Sequence, residues 1–118
     1  MIPKSLMIVE DDFLISHYLR QLCEGLGYDV VHTARTARAA SDMFRTNPVS
    51  HILMDVRLEG HQDGIDAAAV IHGQAPDTRV IFITGSQEPK TMRRIKAESP
   101  HAILIKPIEP DALEKALA

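Results

Sequence analysis

Apolar positions along this chain follow two alternating periods. Short continuous apolar runs, "SLMIVE", "YDVVHTA", "HILMD", "RVIFIT" and "HAILI", read as strands buried on both faces. Between them lie segments of helical period. In "FLISHYLRQLCEGLG", Ile15, Tyr18, Leu19, Leu22, Cys23 and Leu26 share one face, and Gly25 and Gly27 mark its end. "TARAASDMF" puts Ala37, Ala40, Met43 and Phe44 on one side, with Thr36 as N-cap. "GIDAAAVIHGQ" predicts a third helix, closed by "APD". "PKTMRRIKAES" predicts a fourth with Pro89 in its first turn, and "PDALEKALA" a fifth.

Strands that alternate with helices predict an α/β fold, a parallel sheet covered on both faces. Right-handed crossovers leave few arrangements, and ligands in such folds bind beyond the carboxyl ends of the strands. At 118 residues the chain reads as one domain, 1–118, with no repeat or linker. A net charge of −3 argues against a nucleic-acid surface. No apolar run reaches the ~18 residues of a membrane span, and acids stand where a signal peptide would be cleaved. The single cysteine, Cys23, excludes an internal disulfide and fits a reducing compartment. A cytoplasmic protein is expected.

The strand ends carry the chemistry. The first ends in Glu10-Asp11-Asp12, the third in Asp55, the fourth in Thr84-Gly85-Ser86 and the fifth in Lys106-Pro107. Asp55 closes an apolar run, where desolvating a carboxylate is costly. Carboxylates brought within a few ångströms repel by roughly 4 kcal/mol per close pair at an effective dielectric of 20. A cation offsets that, and an all-oxygen set suits Mg²⁺. Metal, ammonium and hydroxyl together suit phosphoryl oxygens, which makes Asp55 a candidate nucleophile of the aspartyl-phosphate kind.

With "IVEDD", "LMDVRL…DG", "FITG" and "IKP" in this order and spacing, the sequence resembles the receiver domains of two-component response regulators. The resemblance implies a flavodoxin-like (βα)5 sandwich with strand order 2-1-3-4-5. It makes Asp55 the phosphoacceptor. Glu10, Asp11 and Asp55 would hold Mg²⁺, together with the backbone carbonyl of Arg57. Thr84 is the switch hydroxyl, Gly85 leaves access to the phosphoryl group, and Lys106 bonds a phosphoryl oxygen. Asp12 falls one place beyond the acidic pair and receives no role. The implied donor is a histidine kinase or a histidine phosphotransfer protein. A downstream protein target or output domain would read the change. The last helix–strand–helix face is the expected homodimer surface, with no nucleic-acid or membrane contact.

Three positions depart from the family pattern. The loop "VRLEGHQDG" after Asp55 is one residue longer than usual and has Glu59 where the family has Pro. Ile103 stands where the family has an aromatic switch. The metal pair is Glu-Asp rather than Asp-Asp. Elsewhere, His17, His32, His51, His61, His72 and His101 form no metal-spaced pair and read as structural or solvent-facing. Cys23 reads as core, and "RRIK" as a solvated helix face. Two rival functions follow from the same residues. A haloacid-dehalogenase-like phosphatase needs two Asp spaced by one after the first strand, where this chain has Glu10 and Asp12. A pseudo-receiver would dock partners without phosphorylation.

Overall fold

The computed structural model describes residues 3–118, so Met1 and Ile2 of the expected 1–118 domain lie outside it. The strands are β1 (Ser5–Val9), β2 (Asp29–Ala34), β3 (His51–Asp55), β4 (Arg79–Thr84) and β5 (Ala102–Ile105). The helices are α1 (Phe13–Gly25), α2 (Ala37–Thr46), α3 (Gly64–Gln74), α4 (Pro89–Ala97) and α5 (Pro110–Leu117). All strand pairs are parallel and the order is β2-β1-β3-β4-β5, the flavodoxin-like arrangement.

The continuous apolar strands are explained by two separate cores. Successive strand residues point to opposite faces. Leu6, Ile8, Leu53, Ile81 and Ile83 pack with Leu19 and Cys23 of α1 and Leu113 and Leu117 of α5. Met7, Val9, Ile52, Met54, Val80 and Phe82 pack with Phe44 of α2, Ile71 of α3 and Ile95 of α4. Each such side chain contributes roughly 1.5–3 kcal/mol by leaving water, so a one-residue slip of a central strand would mismatch both layers. Tyr18 departs from the helical face expected of it. It is exposed, and its hydroxyl donates to the Ile108 carbonyl, tying α1 to the loop before α5.

Local signals set the helix ends. The Thr36 side chain accepts from the Ala39 N–H, as expected of an N-cap. Gly27 takes φ +90 after α1, a left-handed turn that costs glycine least. α4 stops at Ala97, short of the expected Ser99. Ser99 turns to φ 51, and Pro100 disfavours a helical residue before it. Among the described residues no helix is long and apolar enough to cross a membrane.

Register places the chemistry. Val9 of β1 lies beside Met54 of β3, and Thr84 of β4 beside Ile105 of β5. The next residues along β1, β3 and β5 are Glu10, Asp55 and Lys106. They emerge together at one edge of the sheet.

Candidate functional site

Asp55 is only 2% exposed and Glu10 only 3%. The Lys106 ammonium lies 2.9 Å from Asp55 Oδ2 and 3.5 Å from Glu10 Oε1. The Lys106 N–H donates to the Thr84 carbonyl, which fixes where the side chain starts. The Lys106–Pro107 peptide is cis. Asp55 Oδ1 accepts from the Arg57 N–H. Glu10 Oε2 accepts from the Asp12 N–H, and its own N–H donates to the Ala34 carbonyl.

These carboxylates are crowded. Oxygens of Glu10, Asp11 and Asp55 lie within 4.8 Å of one another, the one such cluster among the described residues. Burial, and then the neighbouring Asp55 carboxylate, push the Glu10 carboxyl up to about 7. Burial works against the Lys106 charge, but the contact with Asp55 wins and raises its pKa. Glu10 Oε1 is buried without a hydrogen bond. A buried carboxylate oxygen left in this state needs a further partner. A three-carboxylate set in which Glu10 Oε1 has the Lys106 ammonium at 3.5 Å but no hydrogen bond fits a hard divalent cation such as Mg²⁺.

Thr84 is buried beside this group but turned elsewhere. Its Oγ1 donates to the Ser86 carbonyl and accepts from the Ser86 N–H. Gly85 is exposed, with nothing within 4 Å of a Cβ placed on it. Asp55, Arg57, Thr84, Gly85 and Lys106 all line one open cavity of about 640 Å³. With Glu10 and Asp11 clustered on Asp55, the seven sequence-predicted site residues lie at one end of the sheet. Asp12, left without a role, caps α1 by accepting from the Leu14 and Ile15 N–H groups.

The long loop after Asp55 follows a defined path. Leu58 is buried, and Glu59 forms a bridge beside Thr36 and an ion pair with Arg35 at 3.1 Å. Gly60 takes φ +98. At Gly64 a Cβ would land on the Asp55 carbonyl oxygen, so only glycine lets α3 start directly under the candidate nucleophile. The Gly64 N–H donates to the Val56 carbonyl, closing the loop.

The roles of three residues here escaped the sequence reading. Asp63 and Asp66 form a reciprocal capping box at the start of α3. The D-x-x-D spacing in "DGID" carried that signal. Arg94 of α4 is not simply a solvated charge. It reaches Asp63 at 2.7 Å and Asp66 at 3.4 Å. That pairing spans 31 positions of sequence and left no local signal.

Comparison with known proteins identifies the family and the fold. The response regulator receiver domain model matches residues 6–118. The acid tolerance regulatory protein ActR of Sinorhizobium medicae is 35% identical over 82 residues, covering 70% of this chain and 41% of that protein. The transcriptional regulatory protein PdtaR of Mycobacterium tuberculosis is 28% identical, covering 90% of this chain and 51% of that protein. The chain thus spans about half or less of the curated relatives it matches here. Among solved structures, the receiver domain of a modulated diguanylate cyclase from Desulfovibrio desulfuricans aligns with a TM-score of 0.88 and 33% identity, over 96% of this chain and 89% of that one. The receiver domain of the Erythrobacter litoralis PhyR response regulator aligns at 0.85 and 30% identity, over 98% and 87%. The haloacid-dehalogenase alternative loses its footing, since the matched family is a signalling domain and not a phosphatase. This chain belongs to the response regulator receiver domain family.

Proposed function

We propose that this domain accepts a phosphoryl group on Asp55 from a phosphohistidine of a histidine kinase or histidine phosphotransfer protein. The observation that carries this reading is the Lys106 ammonium at 2.9 Å from Asp55 Oδ2, at the wall of an open cavity. An Asp55 oxygen forms the new bond to phosphorus. The phosphorus–nitrogen bond breaks, and its electron pair stays on the imidazole. Lys106 balances charge on the transferred oxygens without having to reorganise.

Glu10, Asp11, Asp55 and the Arg57 carbonyl are the groups that would hold Mg²⁺. When bound, the ion neutralises charge on phosphoryl oxygens. Thr84 would then move. Its hydroxyl has to leave Ser86 to reach a phosphoryl oxygen, so the chemical event is written directly into the loop before α4. Phe13 and Leu14, 75% and 77% exposed at the start of α1, offer an apolar contact for the donor protein next to the acidic pair. A downstream target or output domain would read the altered surface.

Incubation with acetyl phosphate and Mg²⁺ tests the reading by intact-mass spectrometry. One acid-labile phosphoryl group is expected on the wild type, none on Asp55→Ala, and much less on Lys106→Ala. An unlabelled wild type would instead favour a docking-only pseudo-receiver. Equal labelling of Asp55→Ala would sink the assignment of Asp55.

A further inference from the structure

α4 is held differently from the other helices. Ile95 is its single fully buried side chain among the described residues, where each other helix buries two or more. Its N-cap, Glu88, makes no side-chain bond to the helix, a feature it shares with Glu109 of α5. The Glu88 N–H donates instead to Ser86 Oγ, and Ser86 is held twice by the Thr84 hydroxyl. The first turn of α4 therefore hangs from Thr84 through Ser86.

The second polar hold is Arg94. Its guanidinium sends Nη1 to Asp63 Oδ2 at 2.7 Å and Nη2 to Asp63 Oδ1 at 3.3 Å, with Asp66 Oδ1 at 3.4 Å. The anchor on the other side is firm. Asp63 is fixed by its reciprocal cap with Asp66, and Gly64 is wedged under the Asp55 carbonyl. A forked arginine–carboxylate contact tolerates little displacement. If Ser86 moves, the first turn of α4 either follows it and strains this fork or loses the Glu88–Ser86 bond.

We propose that Arg94, with Asp63 and Asp66, is a latch that holds α4 in its resting position and opens when the Thr84 hydroxyl leaves Ser86. The latch itself stands on the resting geometry. Its trigger rests on the phosphoacceptor reading above. Both polar holds favour the resting position, so each opposes the switched one, and removing the latch shifts the population toward the switched state. This route to α4 needs no aromatic side chain on β5.

The test compares the wild type with Arg94→Met and with the milder Asp66→Asn, whose amide oxygen can still accept from Asp63. Two readouts are taken: hydrogen exchange of the α4 amides without ligand, and binding of beryllofluoride with Mg²⁺ as the phosphoryl mimic. An exposed pair of this kind predicts about two- to fivefold faster α4 exchange in Arg94→Met, with a smaller change in Asp66→Asn. Exchange in the central strands stays unchanged. The apparent beryllofluoride affinity rises by a similar factor, a direction that mere loss of structure would not produce. Unchanged α4 exchange, or equal or weaker beryllofluoride binding, overturns the latch. A wild type that binds no beryllofluoride and takes no phosphoryl group overturns the phosphoacceptor reading instead. In that case the unliganded α4 exchange still decides whether the latch exists.

Discussion

Two corners of the same sheet edge are built on opposite terms. At the ends of β1, β3 and β5, two buried carboxylates and a half-buried ammonium are crowded and pinned by backbone: Glu10 to Ala34, Lys106 to Thr84, Asp55 over Gly64. At the end of β4, one hydroxyl, an exposed glycine and a lightly buried helix are joined by a short chain of polar contacts. The first corner suits chemistry, because preorganised charge is worth most where nothing has to rearrange. The second suits transmission, because elements that move are drawn from the weakly held parts of a structure. The difference shows at the two glycines, with packed backbone against Gly64 in one corner and open space beside Gly85 in the other.

Glycine substitutions break this comparison most severely. Gly64→Ala drives a methyl group into the Asp55 carbonyl, backbone against backbone, with Met54 behind it. Overpacking of this kind should cost about 2–3 kcal/mol in urea unfolding. Gly85→Ala meets open space and should stay within about 0.5 kcal/mol. Equal costs at the two sites would mean that the corners do not differ in packing.

The pH dependence of the metal-free protein sharpens the firm corner. Glu10 titrates near 7 when folded, against an ordinary value of 4.5. Between these values the folded state keeps a proton that the unfolded state has released. The contribution of this group is therefore fully present below about 4.5 and is lost as pH rises through about 7. Stability should fall over that window by on the order of 3 kcal/mol. Glu10→Gln should flatten this slope. Mg²⁺ held by these carboxylates would bind only the folded state and stabilise it by mass action, so it should raise Tm most at the upper end of the window. A wild-type Tm indifferent to Mg²⁺ would count against the carboxylate set as a metal site.

The firm corner was also the legible one. Apolar runs announce buried strands, and a charge at the end of such a run stands out because burial makes it costly. Glu10, Asp55 and Lys106 could be gathered from strand ends alone once a parallel sheet was expected. The loose corner resisted reading. Thr84 was visible as a hydroxyl, but its two bonds to Ser86 depend on a backbone turn with no distinctive residue. Arg94 sits in a basic stretch that looks like ordinary solvated charge. Its partners are distant in sequence and are themselves hidden in a capping box. Tyr18 fits the helical period of α1, yet period alone does not tell the margin of a face from its centre. The loop from Val56 to Asp63 has its path set by Arg35 and Thr36, which belong to another turn of the chain.

Thr84→Ala probes the loose corner next. It removes a buried hydroxyl that both donates and accepts within its own turn. A loss of about 1 kcal/mol is expected in the resting protein. Faster exchange at Ser86 and the first turn of α4 should accompany it, with β1 and β3 unchanged. Acetyl phosphate labelling of Asp55 should persist, since Lys106 and the acidic set are untouched, while the phosphorylation-dependent change in α4 exchange should be lost. Labelling and the α4 response falling together would place Thr84 in the chemistry instead of the relay.

Ile103 should give the smallest effect, and it tests which path the relay takes. It is partly buried on β5 and packs against the core shared with α2, α3 and α4. Its β-branched side chain has few χ1 choices and no polar tip to exchange between water and core. A swing of such a group would change little surface. Ile103→Val removes one methylene and should cost about 0.5–1 kcal/mol. Because the relay proposed here runs from Thr84 through Ser86 to α4, the beryllofluoride-induced change in α4 exchange should match the wild type. Structures with and without the mimic should hold Ile103 in one rotamer while residues 84–90 shift. A rotamer flip of Ile103 beside a still 84–90 segment would move the relay onto β5 and leave the Thr84–Ser86 turn as local packing.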